Sequence, residues 1–277
     1  MVKVDLPANL DQALSQWRQW ELAEEPRVIK RFGTGENHDC FLLQQGATPL
    51  VLKLFRSPQQ HAIKWQQWAA TAGLAPEVLY LDELGSYAVM DYCPTLEPNL
   101  NSLAQGLKRL HEQTPPAKEP GSVRFDLLYF CDQYLSNAGD QARDLHHALL
   151  PGLDHWLNDS TPDCVCHNDL VVENCFTAGE SARFIDWEYA ALNNPWFDIA
   201  SMLYYQGWQA QAEQFMQQYR SDWLPLLSSP LFYSASCAFL WTDILWNLAR
   251  DPNHGWQAQS EKLDHLREFA AHLKISL

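Results

Sequence analysis

The sequence predicts an α+β fold of two lobes: a small β-rich lobe over residues 1–90 and a larger helical one over 96–277, joined by a hinge at 91–95. Three observations lead there. Between Arg27 and Asp91 the apolar residues fall in short runs bounded by turn residues, the signature of strands. From Leu100 onward they recur at helical spacing. One polar stretch, His167–Glu188, interrupts the helices with two short strand-like runs and a turn.

Composition sets the bounds. A chain of 277 residues, 47% of them hydrophobic, can bury a sizeable core in one large or two modest domains. A formal net charge of −15 argues against duplex nucleic acid as a partner and is compatible with a cationic ligand. The seven cysteines are odd in number and lack a framework spacing, which predicts free thiols in a reducing compartment. Cys164-Val165-Cys166-His167 has the spacing of half a zinc site, but no second Cys/His pair follows, so zinc is not expected. The N-terminus has no apolar run after its charge and the chain has no 18-residue apolar stretch. A cytoplasmic protein without membrane contact is therefore expected.

In chain order, Asn9–Ala23 reads as a helix capped by Asn9 and ended before Pro26. Strands follow at Arg27–Lys30, Cys40–Leu43 and Leu50–Leu54, with Gly33 and Gly35 in the first turn. Glycines there let backbone N–H groups approach phosphate, although an ordinary hairpin turn would look the same. Lys53 lies inside an apolar strand, where a lysine is costly unless it meets an anion or faces water on an edge. Ser57–Ala72 reads as a helix with Ser57 as its cap. Further strands are expected at Glu77–Leu81 and Tyr87–Asp91, then the hinge, whose Asp91 and Cys93 backbone groups can read a purine. Helices are expected at Leu100–His111, Asp126–Asn137, Gln141–Leu150 and Leu153–Leu157, and from Asp198 to the end, with breaks near Gly207, Ser228–Pro230 and Asp251–Pro252.

The polar stretch carries the chemistry. Asp169 is followed five places later by Asn174, then a hairpin, then Asp186. Protein-kinase catalytic loops have this outline, with the first Asp as base and the Asn and second Asp holding metal. Clustered carboxylates and amides without a cation would be a costly polar loop, which is the alternative reading.

With these residues in view, the chain resembles the aminoglycoside phosphotransferase and choline/ethanolamine kinase superfamily, a bilobal protein-kinase-like fold. The resemblance runs from about Arg27 to Leu273. It rests on His167-Asn168-Asp169 with Asn174, on Ile185–Ala190 and on Trp196–Ala200. In these motifs the chain is similar to bacterial choline kinases and thiamine kinases. The resemblance implies ATP and Mg²⁺ as cofactors, Asp169 as catalytic base, Asn174 and Asp186 as metal ligands and Lys53 as phosphate lysine. It implies a hinge reading adenine at Asp91 and Cys93, ATP between the lobes, and Asp198 as a structural carboxylate at a helix start. A kinase would carry a third glycine where His38 stands, and a glutamate on the helix after Lys53, where none occurs before Glu77.

The substrate implied is a small-molecule alcohol, choline or ethanolamine first, with thiamine and then an aminoglycoside or sugar as alternatives. A nucleotide-binding module without catalysis is the alternative of a different class. A cationic substrate would be held by Glu188 and by the rings of Tyr189, Trp196, Trp241 and Trp246. Trp246 lies five residues after Trp241, a rotation of about 140° round a helix, so the two rings are not expected on one wall.

Overall fold

The computed structural model describes residues 8–34, 38–94, 98–115, 124–179, 181–251 and 255–277. Helix α1 (Ala8–Ser15) leads through a 3-10 turn at Trp17–Trp20 into strands β1 (Arg27–Thr34), β2 (His38–Gln45) and β3 (Thr48–Phe55). Helix α2 (Gln60–Thr71) precedes β4 (Val78–Leu81) and β5 (Tyr87–Asp91). Next come α3 (Leu100–His111), α4 (Leu127–Ala138), α5 (Asp140–Leu157) and the short strand β6 (Cys164–Cys166). The hairpin strands β7 (Cys175–Ala178) and β8 (Ser181–Phe184) and the short β9 (Ala191–Asn193) follow. The chain ends in α6 (Trp196–Tyr205), α7 (Ala212–Tyr219), α8 (Pro230–Arg250), α9 (Gly255–Ala258) and α10 (Ser260–His272). Among the described residues no single helix is long and apolar enough to cross a membrane.

The chain divides into two compact units, Met1–Glu97 with Phe176–Tyr189, and Pro98–Cys175 with Ala190–Leu277. The first is built on an antiparallel sheet in the order β1-β2-β3-β5-β4. Alternation along β3 decides its two faces. Leu50, Leu52 and Leu54 join Phe41, Leu43, Val89 and Tyr87 on one face, under Leu10, Ala13 and Trp20 from the N-terminal helix and turn. Phe55, with Ala88, Met90 and the partly buried Val51, packs on the other against Ile63 of α2. Lys53 shares the parity of Val51 and Phe55, so it points to the α2 face.

Three expectations change. The first helix stops at Ser15, and a 3-10 turn then brings Trp20 onto Tyr80 and Tyr87, with ring centroids 6.4 and 6.0 Å away. Ser57 is not a cap: α2 starts at Gln60, after Gln59, which makes no side-chain cap bond. The two helices expected on either side of Pro151 are one, because α5 runs through it. A proline inside a helix costs about 3 kcal/mol, and the burial of Leu149, Leu153 and Trp156 on one face offsets it. Gly152 then lets the C-terminal Ile275 pack against the helix, since a Cβ there would collide with the Ile275 side chain.

The second unit is organised on α8, which α4, α5, α6 and α10 all contact. Twelve of its residues, including Trp241, Ile244, Leu245 and Leu248, are buried. Leu52→Ala probes the sheet core of the first unit, where Leu52 is 0% exposed between Phe41 and Val89. It should cost about 2–5 kcal/mol, seen as a lower urea midpoint with an unchanged slope.

Candidate active site

The first unit supplies a lysine–carboxylate pair. Lys53 Nζ lies 2.8 Å from Asp186 Oδ1, joining residues 133 apart in sequence. The anion that an interior lysine needs is thus Asp186 rather than a helix glutamate. Around them α2 presents Ala62, Ile63 and Gln66, and Gln66 spends its amide on Pro76 O and Met90 Sδ. Asp186 holds a left-handed backbone (φ 68°), a conformation that Asp and Asn tolerate better than other non-glycine residues. It turns the chain sharply between β8 and the 3-10 turn Trp187–Tyr189.

His38 stands where a third glycine was expected, and its imidazole enters this cluster, Nε2 lying 3.8 Å from Asp186 Oδ2. Burial, then the neighbouring Lys53 charge, lower its pKa to about 4, against the opposing pull of Asp186. In the sequence His38 shows only as a missing glycine. Its signal in the sequence is a titratable side chain at the turn into a strand, and in the structure that strand sets Cys40 against Lys53. Glu188 lines the same small cavity as His38, Lys53 and Asp186. Tyr189 ends the 3-10 turn, half-buried.

Of the expected nucleotide-loop residues, Gly33 lies within β1 rather than in a turn, and Gly35 lies outside the described residues. At the hinge, Asp91 belongs to β5 and its N–H already donates to Glu77 O at 2.9 Å. Burial, with Glu77 nearby, raises the Asp91 carboxyl above its ordinary range. Cys93 is half-buried, and burial likewise raises its thiol.

The second unit supplies the loop after β6. Asn174 Nδ2 donates to Asp169 Oδ2 at 2.9 Å and to the Asp169 carbonyl at 3.0 Å. The Asn at plus five therefore ties down both the backbone carbonyl and the side chain of Asp169. Asn168, at φ 63°, makes the tight turn before Asp169, and Asn193 on β9 donates to its side-chain oxygen at 2.8 Å. Asp198, 0% exposed, accepts the His167 and Asn168 N–H groups at 2.8 Å each. His111 Nε2 is 3.2 Å from Asp198 Oδ2, and its Nδ1 is 2.7 Å from the Tyr219 hydroxyl. Burial pushes the His111 imidazole down, but the charge of Cys164 and the bond and charge of Asp198 outweigh it, and its pKa is raised. Neither β6 nor its partner β9 was expected; each is three residues long.

Two of the four aromatic residues expected to line a substrate wall are core. Trp196 is 0% exposed and stacks on Trp223 at 5.3 Å. Trp241 is also 0% exposed, and its indole donates to His146 Nδ1 at 3.0 Å. Neither presents a face to a solute. Trp246 is half-buried on α8, but the Arg250 guanidinium covers its ring, 3.4 Å from the centroid. Beside it Asp243 receives Tyr205 OH at 2.5 Å, Lys262 Nζ at 2.5 Å and Asn247 Nδ2 at 3.0 Å, a polar cluster with no signal in the sequence because Tyr205 and Lys262 lie far from Asp243 along the chain.

A five-stranded antiparallel sheet carrying an interior lysine, and a helical unit carrying an Asp–Asn loop, define a kinase-like protein. The chain belongs to the phosphotransferase enzyme family, whose profile matches residues 28–227. It is similar to protein LicA of Haemophilus influenzae, 55% identical over 38 residues, which are 14% of each chain. That match spans far less than two thirds of the relative's length. In fold it is similar to a choline/ethanolamine kinase family protein of Mesorhizobium loti, with TM-score 0.71 and 20% identity over 95% of this chain and 97% of the other. It is equally similar to the choline kinase LicA of Streptococcus pneumoniae, with TM-score 0.71 and 19% identity over 92% of this chain and 99% of that one.

Asp198→Asn places an amide N–H against one of the backbone donors and removes the charge facing His111. A loss of about 3 kcal/mol is expected, read as a lower melting temperature. Glu112→Gln, next to His111 at the exposed end of α3, is the control and should leave stability within about 0.5 kcal/mol.

Proposed function

We propose that this chain is an ATP- and Mg²⁺-dependent kinase acting on the hydroxyl of a small cationic alcohol of the choline or ethanolamine type. The observation that carries the reading is the 2.8 Å contact between Lys53 and Asp186, an interior lysine matched to a carboxylate on the loop after the hairpin. Family membership supports phosphoryl transfer, and a related LicA has been solved with AMP, which supports a nucleotide. The names of the similar proteins support an amino alcohol, as does the net charge of −15.

The donor chemistry fits the cofactors. Asp186 offers a carboxylate and Asn174 an amide oxygen, the hard oxygen ligands that Mg²⁺ takes. When bound, Mg²⁺ would neutralise phosphate charge. Lys53 would hold phosphate oxygens, leaving Asp186 to the metal. Asp169 would take the proton of the acceptor hydroxyl, held for that by the Asn174 amide. Recognition of a cationic head would rest on carboxylates, Glu188 among them, and on Tyr189 and Trp246. Trp246 would contribute its ring face only after Arg250 moves off it. Trp196 and Trp241 have no part in it.

Asp169→Asn should leave nucleotide affinity nearly intact and lower kcat by about 10²–10⁴-fold. Isothermal titration with a non-hydrolysable nucleotide, beside steady-state kinetics, checks both halves. A variant that keeps more than about a tenth of wild-type kcat would remove Asp169 from the role of base.

A substrate panel tests the charge reading. kcat/KM for choline should exceed that for its neutral carbon isostere, 3,3-dimethylbutanol, by at least about tenfold, since one decade is about 1.4 kcal/mol and cation contacts reach that when desolvated. Neutral sugars outperforming both would remove the cationic substrate and leave the kinase in place.

A further inference from the structure

The thiol pair on β6 is a part of the loop's foundation that phosphoryl transfer does not use. Alternation along the strand turns Val165 into the core and sets Cys164 and Cys166 on the other face, their sulfurs 3.7 Å apart. The sequence offers His167 as the adjoining imidazole, but the fold brings His111 instead. Its Nε2 is 3.8 Å from Cys166 Sγ, and all three ligand atoms lie within 4.8 Å of one another.

The two separations of 3.7 and 3.8 Å are close to those of a metal polyhedron. A tetrahedral zinc with sulfur at about 2.3 Å and nitrogen at about 2.0–2.1 Å sets S···S at about 3.8 Å and S···N at about 3.6 Å. The Tyr219 hydroxyl, 2.7 Å from Nδ1, can accept that nitrogen's proton and so leave the Nε2 lone pair for a metal, the usual outer-shell arrangement for a ligating histidine. Asp198 Oδ2, 3.2 Å from Nε2, adds a negative charge beside the site while keeping its backbone donors. The His111 side chain is 5% exposed and Cys166 0%, whereas Cys164 is half-buried and gives an ion a way in.

We propose that His111, Cys164 and Cys166 form a binding site for a thiophilic divalent cation of the Zn²⁺ class, with its fourth position open to water. Binding displaces to solvent the two thiol protons and the proton that Nε2 shares with Asp198, Nδ1 keeping its own toward Tyr219, and the freed Nε2 lone pair takes the ion; no electrons change hands. The ion takes the place of the proton shared between Nε2 and Asp198. A cation at the thiols therefore removes one contact from the carboxylate that holds the His167 and Asn168 backbone. The proposal does not depend on the kinase reading.

The test uses the full chain, reduced with a phosphine, stripped with a chelator and kept in excess Mg²⁺ to occupy hard-ligand sites. Co²⁺ should bind one per chain with a thiolate charge-transfer absorption, and Zn²⁺ should displace it. In the wild-type protein Zn²⁺ should slow alkylation of Cys164 by at least about tenfold, mapped by mass spectrometry, with Cys93 unaffected. Cys164→Ser, a substitution at the half-buried position, should lower Zn²⁺ affinity by at least about tenfold and abolish any Zn²⁺-induced rise in melting temperature. Cys93→Ser should change neither. Absence of the charge-transfer band, or equal alkylation of Cys164 with and without Zn²⁺, overturns the site. The alkylation readout decides even if the serine variant is poorly folded.

Discussion

The buried carboxylate of Asp198 is the constraint on which the loop carrying Asp169 depends. A carboxylate at 0% exposure is tolerable only when hydrogen bonds replace its water. Here the donors are the His167 and Asn168 backbone N–H groups, with the His111 imidazole beside them. Asp198 also lies in the first turn of α6, where the helix dipole favours negative charge. Satisfying the carboxylate therefore fixes the backbone just before Asp169, and Asn174 then fixes the Asp169 side chain. The left-handed conformation of Asn168 persists because both its backbone and its side-chain amide are tied down.

The first unit solves a similar problem with opposite sign. β3 is too apolar to leave an ammonium unpaired, and α2 offers no carboxylate. The helix face toward the sheet is Ala62, Ile63, Trp65 and Gln66, committed to packing. The matching charge arrives from the hairpin instead, on a residue whose positive φ reverses the chain. His38 completes the cluster as a neutral polar group, its charged form disfavoured chiefly by burial.

Much of this was legible in the sequence wherever a local rule sufficed. β5 and α3 have the expected boundaries because turn residues and a capping asparagine bracket them, Asn99 accepting from Ser102 N. Asp169, Asn174, Asp186 and Lys53 stood out because their residue types are costly or unusual where they stand. What failed depended on distant partners. β6 and β9 are three residues each, too short to show a period. The continuity of α5 through Pro151 depends on the face it buries and on Ile275, far along the chain. Two of the three tryptophans expected at a pocket are core, because a core ring and a pocket ring look alike in sequence. Trp196 and Trp241 went to the commoner fate.

The short strand β6 links loop geometry to thiol chemistry. Val165 anchors β6 in the core, the flanking cysteines face His111, and the next two residues donate to Asp198. Burial raises the Cys166 thiol, while its hydrogen bond to Cys164 and then the His111 charge lower the Cys164 thiol against burial. The two sulfurs are within hydrogen-bonding distance of one another, and either can donate. An arrangement serving only packing would gain more from two apolar side chains, which need no hydrogen-bond partners. The imidazole is shared between the pair and the carboxylate that positions the loop, so whatever engages the thiols acts on the loop through one ring.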